Sequence, residues 1–235
     1  MNSQRKRPSI RRNFGLFGSG NPVGSLLGVA KGRRALACTR MFVKGGEHLY
    51  LSGDPISSIY TILAGTFKTC TVTEKGKVQV MGFYMRGVTM GLDAIATGYY
   101  SASAIALEDS QVCVVSAERL EQHCLQNKSV PKRLHAAMAW EINARQRVIL
   151  MLGSKTAIER VASFLIEHAA TYFELGRSFF DMHLVMNRDE IGSYLGLTLE
   201  TVSRILSNFQ DRQLLVVNQR RVRILDFAGL QQLTG

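Results

Sequence analysis

Hydrophobic positions along this chain change period as it proceeds. From about Leu36 to Ser116 they fall in short β-rich runs punctuated by glycine: HLYLSGD, IYTILAGTFKTCTVTEKGKVQVMGFYMRG and ASAIALEDSQVCVVS. Short strands at this spacing predict a small β-roll or jelly-roll barrel, which encloses a pocket or serves as a scaffold. Glu74-Lys75-Gly76 sits between two alternating segments and reads as a hairpin turn. Ala117 to His123 reads as a short helix and Pro131 to Leu152 as a long one. Along the long helix Leu134, Met138, Ile142, Ile149 and Leu152 step by three or four, and Arg145 falls on the same stripe. A stripe this long on a connector predicts a parallel helix pair about a two-fold axis, with docking onto the chain's own barrel as the alternative. In such a pair Arg145 meets its own copy, so it either weakens the pair by repulsion, snorkels outward, or turns to Glu141 one turn earlier.

Beyond Gly153 the pattern becomes that of short capped helices. Thr156 and Glu159 form a capping box that opens a helix with Ile158, Val161, Ala162 and Leu165 facing inward, ending near Gly176. SFFDMHLVM is strand-like. Then comes NRDEIGSYLGLTLETVSRILSNFQDR, which reads as two helices joined by a tight turn. Asn187 and Glu190 form the first cap; Ile191, Tyr194 and Leu195 make one apolar face. Gly196 breaks the helix, Leu197 plugs the gap, and Thr198 caps a second helix whose buried face is Val202, Ile205, Leu206 and Phe209. Glu200, Ser203 and Arg204 are left together at i, i+3 and i+4 near the second N-terminus. A helix-turn-helix places such residues on base edges in the major groove. Arginine bridges O6 and N7 of guanine, glutamate accepts from the cytosine amino group, and serine serves several bases. LLVVNQRRVRILD then reads as a basic hairpin carrying Arg220, Arg221 and Arg223, a wing suited to phosphates.

Charge qualifies this picture. The net charge of +11 is uneven: residues 1–34 hold eight basic residues and no acid, residues 35–154 contribute +3, and residues 155–235 contribute zero. The high pI therefore belongs to a glycine-rich tail that reads as weakly ordered, and the winged segment is neutral overall. The tail superficially resembles a transit peptide, but its apolar stretch GSLLGVA is too short and glycine-rich for a secretion signal. No run of 18 apolar residues is present, which argues against a membrane span. Cys38, Cys70, Cys113 and Cys124 are scattered without a CxxC, which argues against a disulfide framework and fits a reducing cytoplasm; as buried thiols they read as small hydrophobes. The five histidines form no close pair, so no metal site is expected. HExxH, GxSxG and P-loop signatures are missing, so the chain does not read as an enzyme. A nucleic-acid-binding module without promoter specificity is the other class that a basic tail permits.

The order barrel, long helix, winged helix-turn-helix resembles the CRP/FNR family of bacterial transcription regulators, and its FNR branch in particular. GLTLETVSRIL is similar to that family's recognition helix, MNRDEIGSYLGL to the helix before it, and AGTFKTCTVTEKG and MGLDAIATG to FNR-type sensor segments, over residues 36–235. The resemblance implies an α+β fold in four parts: a tail at 1–34, a β-roll at 35–125, a dimerisation helix at 126–154 and a winged helix-turn-helix at 155–235. It also implies a homodimer on a TTGAT-N4-ATCAA-like palindrome, with RNA polymerase as a further partner. Glu200, Ser203 and Arg204 match the base-reading positions; Thr198, Thr201, Arg188 and Arg221 complete the expected DNA-binding set. Leu134, Met138, Ile142, Arg145, Ile149 and Leu152 are the expected dimerisation set. Departures bear on cofactors. FNR-type clusters use three cysteines near the N-terminus plus one in the barrel, where Cys113 aligns; the first 37 residues hold none, so no iron–sulfur cluster is expected. Members that bind cAMP carry Gly-Glu-Leu and an arginine before Ser/Thr-Ala. Here Gly91-Leu92-Asp93-Ala94 and Tyr99-Tyr100-Ser101-Ala102 supply neither, so cAMP is not expected.

Overall fold

The computed structural model describes residues 38–235. The expectations for the basic tail lie outside the described residues. The first half is a roll of two four-stranded antiparallel sheets. Its strands are β1 (Thr39–Val43), β2 (His48–Tyr50), β3 (Ser58–Ala64), β4 (Thr66–Val72), β5 (Val78–Met85) and β6 (Thr89–Met90). A one-turn helix α1 (Ala94–Thr97), β7 (Ser103–Ala106) and β8 (Ser110–Ser116) complete it. The sheet orders are β1-β8-β3-β6 and β2-β7-β4-β5. Alternation sends Tyr60, Ile62, Phe67, Ala104 and Val112 into the space between the sheets, where they pack with Tyr50, Tyr84 and Tyr100. The β4–β5 hairpin turns at Glu74-Lys75-Gly76 as expected; Gly76 has φ of +75° and the Thr73 N–H donates to the Lys77 carbonyl.

Ser116 ends β8 and caps α2 (Ala117–Gln126), accepting from the Arg119 N–H. The long helix α3 follows (Ser129–Ser154). It carries two apolar faces where the sequence suggested one. The inner face is Val130, Leu134, Ala137, Trp140, Ala144 and Met151, all buried within this chain. The other carries Ile142 and Ile149, which are 58% and 69% exposed. Of the six expected dimerisation residues, Leu134 joins the cluster under the roll, Met138 packs against that cluster, and Leu152 packs against the C-terminal core. Arg145 does not stand on an open seam. Its guanidinium lies over the roll, donating to the Met81 carbonyl, the Tyr84 hydroxyl and Glu141, with the carboxylate 3.2 Å away. Within one chain Arg145 thus takes the pairing with Glu141, the alternative to repulsion, and adds two acceptors of the roll to it.

The C-terminal part comprises α4 (Ala157–Glu174), β9 (Asp181–His183), α5 (Arg188–Leu195), α6 (Leu199–Asp211), β10 (Leu215–Asn218), β11 (Arg221–Ile224) and α7 (Phe227–Gln232). Capping boxes form at Thr156/Glu159 and Asn187/Glu190 as read from the sequence. Val161, Ala162 and Leu165 are buried, but Ile158 is 42% exposed and belongs to the outer side of the first turn. SFFDMHLVM yields a three-residue strand that joins the wing in the order β10-β11-β9. The closing helix α7, capped by the Asp226 carboxylate accepting from the Gly229 N–H, carried no recognised sequence signal.

The roll and the winged part share one core. Val80, Phe83 and Met85 of β5 pack with Phe164, Tyr194 and the rest of the C-terminal cluster. Around that apolar contact Lys68 pairs with Glu190 at 2.7 Å, the Val80 N–H donates to the Ser193 hydroxyl at 2.9 Å, and the Gln79 amide donates to the Ser193 carbonyl.

The cysteines do not remain separate. Cys38 and Cys113, 75 positions apart, form a disulfide, with Cα atoms 5.6 Å apart. This corrects the expectation of four free thiols: spacing along the chain conceals that β1 lies antiparallel to β8, opposite Arg40↔Cys113. Cys70 and Cys124 are free. No described helix is long and apolar enough to cross a membrane.

Helix α5 approaches the turn before α6 closely at Gly192, where a Cβ would stand 2.9 Å from the Leu197 carbonyl oxygen and 3.2 Å from the Thr198 carbonyl carbon. Both neighbours are backbone and cannot rotate away. Gly192→Ala should therefore destabilise the protein by roughly 1–3 kcal/mol through overpacking, read as a lower urea midpoint. An unchanged midpoint would mean that the turn moves freely.

Candidate nucleic-acid interface

The two helices that carry the candidate interface are fixed by local chemistry before any packing. Asn187 accepts from the Glu190 N–H at 2.8 Å while the Glu190 carboxylate accepts from the Asn187 N–H at 2.7 Å. Two N–H groups that would otherwise be orphaned at the start of α5 are satisfied. The helix stops at Gly196, whose φ of +66° is the left-handed cap that glycine tolerates best. The Leu197 N–H returns to the Gly192 carbonyl at 2.9 Å, and Leu197 packs against the core as the expected plug. Thr198 caps α6 by accepting from the Thr201 N–H at 3.2 Å.

Val202, Ile205, Leu206 and Phe209 are then buried, which turns the opposite side of α6 outward. Glu200 and Arg204 are exposed and Ser203 is half-buried. Thr198 is exposed and Thr201 half-buried beside it, their hydroxyls 3.2 Å apart. Glu200 lies at the N-terminus of α6, where hydrogen bonds from its own N–H and from the Thr198 side chain hold its carboxyl below the usual glutamate range. It is thus an ionised acceptor, the state suited to accepting a hydrogen bond from an amino group. Arg188, on α5, donates to the Ser203 hydroxyl at 3.3 Å, linking the first helix of the pair to the second.

The wing departs from the sequence picture in detail. Arg221 makes a bidentate ion pair with Asp181, at 2.8 and 2.6 Å, so it braces β11 against β9. Arg220 donates to the Val185 carbonyl at 3.0 Å. Arg223 is exposed on the same strand. The Asp181 partnership was not legible, since a single acid forty residues upstream carries no motif. Glu190 also acquired a role that its capping pattern did not reveal: it is the acid that receives Lys68 from the roll.

A second feature lies between the roll and α3. A cavity of about 840 Å³ is lined by Tyr50, Thr69, Met81, Tyr84, Asp93 and Ser101 on the roll side and by Met138, Glu141, Ile142, Arg145 and Ile149 on the helix. Asp93 is held by the Ser101 N–H at 2.9 Å and hydroxyl at 2.5 Å. Burial, with Asp93 nearby, pushes the Glu141 carboxyl up to about 7. Among the described residues no group of three or more histidine, cysteine or acidic side chains is arranged to hold a metal ion.

Comparison with known proteins agrees with these two regions. A model of the Crp-like helix-turn-helix domain matches residues 159–233, and one of the cyclic nucleotide-binding domain matches residues 40–127. The transcriptional regulatory protein btr of Bordetella pertussis is 36% identical over 214 residues, covering 91% of this chain and 88% of btr. The transcriptional activator protein FnrA of Stutzerimonas stutzeri is 39% identical over 193 residues, 82% of this chain and 79% of FnrA. Among solved structures, FixK2 from Bradyrhizobium japonicum superposes with a TM-score of 0.78 at 30% identity, covering 85% of this chain and 98% of FixK2.

The Glu141 environment has a consequence for stability. Its folded pKa is raised, so the folded state binds the proton more tightly than the unfolded chain does. The stabilisation is full below the ordinary glutamate range and is lost as pH rises through about 7. Glu141→Gln stays neutral throughout, so its urea midpoint should fall less steeply than the parent's between pH 5 and pH 8. Parallel curves would show that Arg145 keeps Glu141 ionised across that interval.

Proposed function

The chain belongs to the CRP/FNR family of transcription regulators, and we propose that it binds as a homodimer to a TTGAT-N4-ATCAA-like palindrome and contacts RNA polymerase from that site. It is a DNA-binding regulator and not an enzyme. The observation that carries the finer reading is the outward set on α6: Glu200, Ser203 and Arg204 point away from a buried Val202–Ile205–Leu206–Phe209 face. In the major groove that set offers one bidentate donor, one ionised acceptor and one adaptable hydroxyl. Arg223 near the wing is placed for phosphates, which position without specifying.

The homodimer reading is supported by the outer face of α3. Ile142, Ile149 and Leu150 are 58%, 69% and 66% exposed on one helix. Two-fold pairing would bury them and set two α6 helices against two half-sites. For the cavity, we infer a role other than cAMP binding. Asp93 and Glu141 line it, and its arginine is already engaged by Tyr84, Glu141 and the Met81 carbonyl, so a cyclic phosphate would meet acids before an available cation. We also infer that no FNR-type iron–sulfur cluster forms, since residues 1–37 lack cysteine. The cytoplasm is the proposed location, where a bacterial regulator meets DNA.

A mobility shift on the palindrome against a scrambled duplex tests the assignment. Arg204→Ala should lose roughly 1–3 kcal/mol on the palindrome and flatten discrimination at the half-site guanine. Equal loss on every sequence would restrict Arg204 to phosphate. Glu200→Ala should relax preference at its own base without altering assembly.

Ile142→Glu with Ile149→Glu should shift the protein toward monomer, since each buried isoleucine contributes about 1.5–3 kcal/mol. Sedimentation equilibrium reads this directly, and an unchanged mass would place the assembly face elsewhere.

A further inference from the structure

The disulfide joins the first strand of the roll to its last. Among the described residues β1 pairs only with β8 and is the edge of its sheet. Its side chains bury little: of Thr39–Val43 only Val43 is buried, Met41 packs half-buried against the roll core, and Phe42 is 81% exposed. Non-covalent packing therefore holds β1 weakly, and the Cys38–Cys113 bond supplies what the burial does not. On the other side, Cys113 is fully buried in a cluster with Leu120 of α2 and Val130, Leu134 and Ala137 of α3. The bond thus sits at the junction between the roll and the helix pair.

We propose that Cys38 and Cys113 are a reversible oxidation site, converted between dithiol and disulfide by a low-molecular-weight disulfide of the glutathione class, with the bond clamping β1 beneath α2 and α3. Cys38, half-buried at the edge, is the entry point; Cys113, with no exposure, resolves the intermediate. The Cys38 thiolate attacks one sulfur of oxidised glutathione, forming a mixed disulfide and releasing one glutathione thiolate. The Cys113 thiolate then attacks the Cys38 sulfur and releases the second. The protein pair gives up two electrons and two protons; oxidised glutathione takes them up as two molecules of the reduced form. The other thiols are poor competitors. Cys70 lies in the opposite sheet and Cys124 on α2, and neither is bonded to another sulfur, whereas Cys38 and Cys113 stand with Cα atoms 5.6 Å apart. Burial also pushes the Cys70 and Cys124 thiols up. Reversibility rests on the DNA-binding reading, because a regulator that works on DNA in a reducing compartment holds a disulfide transiently, as a sensor rather than as a permanent staple.

The test uses the full chain equilibrated in glutathione buffers of stepped ratio, acid-quenched, alkylated with a maleimide and weighed intact. Two thiols should disappear together as the buffer becomes oxidising and return on adding reduced glutathione, with peptide mapping linking Cys38 to Cys113. C70S and C124S should titrate like the parent, whereas C38S, at a half-buried position and so sparing the core, should form no bond. The reduced form should melt roughly 5–15 °C lower. It should exchange amide hydrogens faster across Thr39–Val43 but not across Leu199–Asp211. Palindrome affinity should differ between the two forms. No loss of thiols, a different pairing, or a bond that millimolar reduced glutathione leaves intact each overturns the proposal. Identical β1 exchange and identical DNA affinity in both forms overturn the sensing role. If neither form binds the palindrome, the operator reading fails while the thiol count still decides this one.

Discussion

The contact on which the architecture depends is that of Phe83 with the helix-turn-helix. Phe83 is 2% exposed and meets Tyr194 edge-on at 5.2 Å and Phe164 at 6.3 Å. Tyr194 belongs to the first helix of the DNA-binding pair and Phe164 to the helix entering that domain. One aromatic side chain of a roll strand thus completes the core of the other domain. Full burial of such a ring is worth about 1.5–3 kcal/mol, and the edge-on pairs add about 0.5–1.5 kcal/mol. The polar contacts around it do different work. A largely buried ion pair such as Lys68–Glu190 gains little net energy after desolvation, but it discriminates strongly against misplacement, because sliding α5 would strand a buried charge. Apolar burial holds the domains together, and the ion pair sets their register.

Much of this was legible in the sequence because it is written in local chemistry. Capping boxes, a left-handed glycine and an apolar stripe at helical period are determined within four or five residues, so α4, α5, the turn and α6 were readable one by one. The expected outward set on α6 follows from the same periodicity. Long-range choices were not legible. The long helix carries alanines and a tryptophan on its inner face, and Ala137, Trp140 and Ala144 give a weaker pattern than the isoleucines of the outer face. The predicted stripe therefore mixes the two: Ile142 and Ile149 belong to the outer face, and Leu134, Met138 and Leu152 to contacts within the chain. Arg145 looked like a charge on a seam because its acceptors, Met81 and Tyr84, lie more than sixty positions upstream. Arg221 and Asp181, like Cys38 and Cys113, meet only through strand pairing that no spacing rule encodes.

The specific binding proposed for this protein does not come from bulk charge in the winged segment. The segment from Lys155 onward is neutral overall, so attraction to the duplex rests on how its cations are placed. Several of those cations are occupied: Arg221 by Asp181, Arg220 by a carbonyl, Arg160 by the carbonyls of Leu152, Lys155 and Leu195. These arginines act as struts. These internal contacts brace the wing and the α5–α6 turn, and Arg204 and Arg223 project exposed from the elements so braced. A loosely held cation would bind any phosphate; a fixed one can be matched to a base edge.

The same economy explains why α3 can serve two masters. Its inner face is committed to the roll through Trp140 and Ala144, its last turns to the C-terminal core through Met151 and Leu152, and its outer isoleucines to neither. The cavity opens between these faces, with Glu141 and Arg145 at its edge. Any change that moves Arg145 off Tyr84 and Met81 acts on β5, and β5 carries Phe83. From that ring the path to Tyr194 is a single van der Waals step. The roll, the helix and the helix-turn-helix are therefore joined by packed side chains from the cavity wall to α5, with Arg145 over β5, Phe83 on β5 and Tyr194 on α5 as successive contacts. Close packing of this kind leaves few alternative arrangements between them.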